Sequence, residues 1–230
     1  MKKISIIISS MFILASAHAF SFGDLTKKVS DVASAITEDD SVKSLTAKQE
    51  TALAKYKSSK EDFLRGFSIA AGAMGADDLK KRADSALATV ESQKAKTLDV
   101  EAVAKAADDV LAAAKTEAVK AVAGSNSTVA AAADAKQQYD SAMGYFKSGL
   151  SGELEAAQSV ADVAKETKEA MAKADTTQRI KIAAALKPSL DLAQTIPQDI
   201  SKSKEAVSEI LKKVKASGAS IPGDLLSLIK

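Results

Sequence analysis

The chain has 230 residues, 46% of them hydrophobic and 27% charged, with a formal charge of +2, no cysteine, no tryptophan and one histidine. Zinc centres and Cys- or His-dependent nucleophilic catalysis therefore lack their usual ligands and bases. The small charge excess gives no long-range pull toward nucleic acid, and the arginines that read phosphates bidentately are confined to Arg65, Arg82 and Arg179.

Residues 1–19, MKKISIIISSMFILASAHA, open with Lys2 and Lys3, continue as an apolar run from Ile4 to Leu14 and close on Ala17-His18-Ala19. That order predicts a secretory signal peptide cleaved before Phe20. The run is shorter than the roughly 20 residues a spanning helix needs, and Ser9 and Ser10 interrupt it. Cleavage removes both excess lysines and the sole histidine, His18, leaving a charge-balanced chain without a lipid-accepting cysteine. Export usually favours disulfides in small proteins, but a chain of this length can bury a core without them.

Alanine makes up roughly a fifth of the chain beyond Ala19, with Lys, Glu, Asp, Val and Leu filling much of the rest and few aromatics, a composition that favours helices. Leu25, Val29, Val32, Ala33 and Ile36 form the stripe of a short first helix, ended by Glu38-Asp39-Asp40. From Ser41, a second stripe of Val42, Leu45, Gln49, Ala52, Tyr56, Ser59, Phe63 and Phe67 runs at spacings of three and four, predicting a long helix to Ala71.

The stretch Gly66 to Asp78, GFSIAAGAMGADD, admits three interpretations. A phosphate loop needs a preceding strand and a Gly-Lys-Ser/Thr, both absent here. A membrane-inserting tongue over 66–76 has the apolar character but too little length to cross. A turn between helices accounts for most residues: Gly72 and Gly75 to leave the helix, and Asp77 and Asp78 to suit the next helix dipole, with Asp77–Lys81 and Asp78–Arg82 as surface pairs.

The stripe resumes with Leu79, Ala83, Ala86 and Val90, then Val100, Val103, Ala107, Val110 and Ala114, with either a break capped by Thr97 or Asp99 or one bent helix. Gly124-Ser-Asn-Ser127 predicts a turn. Next come Tyr139, Met143, Phe146 and Leu150, then Leu154, Ala157, Ala161, Ala164, Thr167 and Met171, with a kink or short interruption expected at Gly149 and Gly152. Asp175-Thr-Thr-Gln178 has capping-box spacing. The last long segment, from Ile180 to Val214, contains Pro188 and Pro197, and Pro197 is expected to open a new helix.

The expected fold is all-α: an elongated antiparallel helical bundle of three to four long helices with short terminal helices. Its parts are the signal peptide (1–19), the bundle domain (20–218) and a short apolar C-terminal segment (219–230). In an antiparallel arrangement the patch at 66–76 meets Met143 to Gly152 as a core plug or a ligand mouth.

Chemistry-bearing constellations are sparse. Di-metal bundle sites need histidine, and Glu38-Asp39-Asp40 lacks the spacing of a calcium loop, so no metal and no cofactor is expected. Ser201-Lys-Ser-Lys204 is placed on a polar face, away from the burial that a Ser-Lys dyad needs. Asp162, Glu166 and Glu169 share a face with interspersed lysines and read as exposed electrostatics.

The expected function is that of a non-enzymatic helical protein of the bacterial envelope, exported to the periplasm or beyond. It acts as scaffold, adaptor or chaperone-like binder through a protein partner or self-association, without nucleic acid. The possible interaction patch comprises Phe63, Phe67, Met74, Met143, Tyr145, Phe146, Leu225, Leu226, Leu228 and Ile229. One alternative is a membrane-active pore former or lipid binder, with peripheral membrane contact at 66–76. The other is a small-ligand carrier with a cavity near Tyr139, Tyr145, Phe146, Phe63 and Phe67.

Overall fold

The computed structural model describes residues 40–120, 129–216 and 220–229. Among them the chain is all-α, without a strand: α1 (Asp40–Met74), α2 (Asp77–Glu91), a 3₁₀ turn (Ala95–Thr97), α3 (Val100–Lys120), α4 (Val129–Lys173), α5 (Thr176–Ala185), α6 (Lys187–Ala216) and α7 (Gly223–Ile229). The predicted helix over 25–36 and the turns at 124–127 and Gly218 lie outside the described residues. The described residues form two compact units. The first takes those up to Lys55 with Glu155–Pro197, and the second takes Tyr56–Leu154 with those from Gln198 onward.

In the first unit Val42 and Leu45 of α1, Val163 of α4, Ile182 of α5 and Leu186 form the core, edged by Ala170, Met171, Ala174 and Ala185. The α4–α5 junction is closed by its own side chains. Asp175 accepts from the Gln178 backbone N–H at 2.8 Å while Gln178 Oε1 accepts from the Asp175 N–H at 3.1 Å, the predicted capping box. Arg179 Nε reaches back to the carbonyls of Met171 and Ala174, which have lost their helical partners. At the next junction buried Gln49 donates to the Ala185 carbonyl (2.9 Å) and accepts from the Ser189 N–H (3.2 Å), satisfying one group on each side of the break.

In the second unit α1 and α2 form a hairpin. Gly75, at φ 67°, terminates α1; its N–H bonds to the Gly72 carbonyl and that of Ala76 to the Ala71 carbonyl, the two bonds of a Schellman motif. Ser68 bonds Asp84 and Arg65 bonds Glu91, so positions rising along α1 meet positions falling toward the turn on α2. The ion pair on α2 is Lys80–Asp84, in place of the expected Asp77–Lys81 and Asp78–Arg82. The chain breaks between α2 and α3, and Asp99 is the cap: its carboxylate accepts from the Ala102 N–H at 2.9 Å. Leu79, Ala83, Ala86 and Val90 of α2 and Val100, Val103, Ala107, Val110 and Ala114 of α3 are buried as their spacing predicts, and the two helices pack together.

Two expectations of broken helices are corrected. Helix α4 runs without interruption through Gly149 and Gly152. A Cβ at Gly149 would come within 2.8 Å of the Phe63 ring, and one at Gly152 within 2.9 Å of Ser59 Cβ. These glycines admit α1 at close range, and the contact offsets their weak helix propensity. Pro197 lies inside α6 and opens no helix. The buried stripe Leu192, Ile196, Asp199, Ser203, Val207 and Ile210 keeps one register on both sides of the proline, so tertiary burial holds the helix against the lost hydrogen bond.

The glycines thus separate by environment, with opposite consequences. Gly144 is exposed in mid-helix with nothing within 4 Å of an added Cβ, so Gly144→Ala raises the unfolding free energy by about 0.5–1 kcal/mol. Gly75→Ala lowers it by about 1 kcal/mol, because only glycine takes that φ without cost. Urea titration of both variants checks the pair of signs.

Candidate functional site

The patches 66–76 and 143–152 meet in the second unit at Gly66 and Phe67, which pack against Tyr145 and Phe146. A Cβ on Gly66 would fall 2.8 Å from the Phe146 ring and 3.3 Å from Tyr145 Cβ. The Phe67 and Phe146 rings meet edge to face at 4.8 Å between centroids, with Phe63 at 6.5 and 6.4 Å from them. Phe63, Phe67, Met143 and Phe146 are buried, while Met74 and Tyr145 are half-buried. The remaining members of the predicted patch lie on α7. There Leu225 is buried, Leu228 and Ile229 are half-buried, and Leu226 is 41% exposed, the exposed large apolar side chain among the described residues. Lys147 of α4 forms an ion pair with Asp224 at the start of α7.

The polar chemistry of the second unit lies deeper, around Lys60, Glu153 and Asp199, charged residues that the sequence pattern does not single out. Tyr56 and Lys60 of α1, Glu153 of α4, and Asp199 and Ser203 of α6 are each no more than 2% exposed. The Lys60 ammonium donates to Glu153 Oε1 at 2.6 Å and lies 3.2 Å from Asp199 Oδ2. The Tyr56 hydroxyl donates to the same Asp199 oxygen at 2.5 Å, and Ser203 Oγ donates to Glu153 Oε1 at 3.0 Å. Lys60 Nζ also stands 5.3 Å from the Tyr56 ring centroid, within cation–π range. Glu153 Oε2 is buried with no partner. Ser203 thus occupies the interior, correcting its placement on a polar face, whereas Lys202 reaches the other way to Asp108 of α3 at 2.5 Å.

Burial sets the electrostatics of this cluster. It raises the Tyr56 hydroxyl well above the ordinary phenol range, and the adjacent Asp199 carboxylate adds to the effect. Burial works against the Lys60 ammonium, yet Glu153 and Asp199 outweigh it and hold the proton on more firmly than on a free lysine. Burial pushes the Glu153 carboxyl upward, against the opposing pull of Lys60 and Ser203. The group is therefore a hydrogen-bonded ionic knot joining three helices. Every member is closed to solvent.

The first unit carries an open groove of about 940 Å³ between the start of α1, the second half of α4 and the start of α5. Leu45, Val163 and Ile182 contribute apolar floor, and the rim alternates lysines with Asp162, Glu166 and Glu169, the acidic face predicted from their spacing. Across it the Lys48 ammonium bonds both oxygens of Glu166, at 2.5 and 2.6 Å. Both partners are substantially exposed, so the pair contributes about 0–1 kcal/mol.

Among the described residues no group of His, Cys, Asp or Glu could hold a metal ion, and no helix is long and apolar enough to cross a membrane. Comparison with protein families, characterised proteins and solved structures finds no match to this chain.

Proposed function

We propose that the chain is an exported, non-enzymatic helical protein of the bacterial envelope that acts by binding another protein, as a scaffold, adaptor or chaperone-like component. The observation that carries this is Leu226, 41% exposed on the terminal helix while the other described large apolar side chains are buried or half-buried. Its neighbours Leu228 and Ile229 extend the apolar edge, and Leu225 anchors the helix beneath it. A small apolar anchor rimmed by charge is the kind of feature that carries binding energy in protein interfaces. The residue inventory beyond Ala19, without His or Cys, supports a role made of surface and shape.

A photo-crosslinking residue at position 226 in cells is expected to give a discrete adduct, and the same residue at exposed Lys81 on α2 none. An adduct at twice the mass of the chain identifies self-association. Absence of any adduct at 226, with co-flotation of the purified protein on anionic liposomes, replaces this proposal with the membrane-active alternative. The groove over Leu45, Val163 and Ile182 is the observation that favours a carrier as the second reading, and saturable small-molecule binding lost in Val163→Trp supports it.

A further inference from the structure

The ionic knot in the second unit has one cation for two carboxylates. Lys60 satisfies one oxygen of each, Tyr56 adds a second bond to Asp199 and Ser203 a second bond to Glu153 Oε1, but Glu153 Oε2 faces no donor and no solvent. With both carboxyls ionised the interior therefore carries one uncompensated negative charge and one unsatisfied anionic oxygen. A proton on Glu153 removes the net charge and leaves only a neutral hydroxyl without an acceptor, the smaller of the two costs.

We infer that this knot is a proton-operated lock across α1, α4 and α6, tight when Glu153 carries a proton and strained when that proton is lost.

None of the groups facing Glu153 supplies the missing positive charge. Lys60 and Tyr56 on α1 both hold their protons beyond their ordinary ranges. On α6, Asp199 accepts from the Tyr56 hydroxyl and lies at the longer of the two Lys60 contacts, and Ser203 carries no charge. From α3, Asp108 acts on Tyr56 as a further negative charge, and its own partner is Lys202. No second cation enters the knot to compensate Glu153.

The sign is set by linkage. Glu153 holds its proton more strongly folded than unfolded, so the stability it adds is present below the ordinary glutamate range and is lost as pH rises through its raised folded value. Glutamine reproduces the protonated form in shape and charge. The test is a carbon-13 titration of the Glu153 side-chain carboxyl in the full chain, with urea unfolding of wild type and Glu153→Gln at pH 5 and pH 8. The expected result is a Glu153 midpoint above the ordinary range and a wild-type folding constant that falls from pH 5 to pH 8 by at least about threefold more than that of the variant, the part of a one-unit shift that lies above pH 5. A midpoint at or below the ordinary glutamate range overturns the inference, whether or not the variant folds. So does a variant less stable than wild type at pH 8.

Discussion

Lys60→Met lowers the unfolding free energy at pH 7 by about 3–5 kcal/mol, the loss expected when one partner is taken from a buried ion pair and the others are left behind. The size comes from the geometry. Methionine fills nearly the volume of the lysine stem, so little packing is lost. What changes is that Glu153 and Asp199, both closed to water, lose the one ammonium beside them, at 2.6 and 3.2 Å. A contrast separates charge imbalance from packing. In Glu153→Gln the Lys60 ammonium still has Asp199 beside it, so the same substitution on that background costs less than the two single losses combined. Urea midpoints at constant slope measure both.

Phe146→Ala also costs about 3–5 kcal/mol, since the ring is fully buried and central to the aromatic seam with Phe63 and Phe67. The sharper expectation concerns Gly66. Gly66→Ala in wild type destabilises by about 1 kcal/mol, because the new methyl lands 2.8 Å from the Phe146 ring and the overpacking exceeds the gain in helix propensity. On the Phe146→Ala background the ring is gone, and the same methyl enters the vacated space, so the sign reverses to stabilising. The coupling across this cycle is expected at about 1–2 kcal/mol, within the range for residues in direct contact. Additive effects would mean that the two helices do not approach each other through that glycine.

How much of this is legible in the sequence depends on which side chains are taken to mark the core. On α1 the stripe Val42, Leu45, Gln49, Ala52, Tyr56, Ser59, Phe63 and Phe67 is buried at every position, because three-four spacing there runs through polar residues as well as apolar ones. On α4 the same spacing from Phe146 and Leu150 leads to Glu153, Ala157 and Val160, all buried. Choosing apolar Leu154 and Ala161 in their place puts the stripe one residue off, and both of these are only half-buried. On α6 the analogous choice of Ile200 over Asp199 hides the second carboxylate. A charged residue in register with a buried stripe is costly unless a partner lies opposite, and that partner sits 93 positions away in sequence for Glu153. Nothing local to Lys60 signals it either, since the neighbouring Lys57 pairs with Glu61 four residues on, as an ordinary helix lysine does. The turns and caps read well because their chemistry is local, as Asp175 with Gln178 and Gly75 show. The interruption expected at Gly149 and Gly152 and the new helix expected at Pro197 are absent because tertiary packing outweighs propensity there.

The buried charges of this chain serve its fold, while its proposed action lies on the surface. The most direct test of that division removes the whole knot at once, in Tyr56→Phe/Lys60→Met/Glu153→Met/Asp199→Leu/Ser203→Ala, and measures the yield of the crosslinked adduct from position 226 beside that of wild type. Replacing an entire buried ionic group by apolar residues of similar volume is commonly neutral or stabilising, so a folded variant with an undiminished adduct is the predicted result. A variant that folds as stably as wild type and forms no adduct would contradict it.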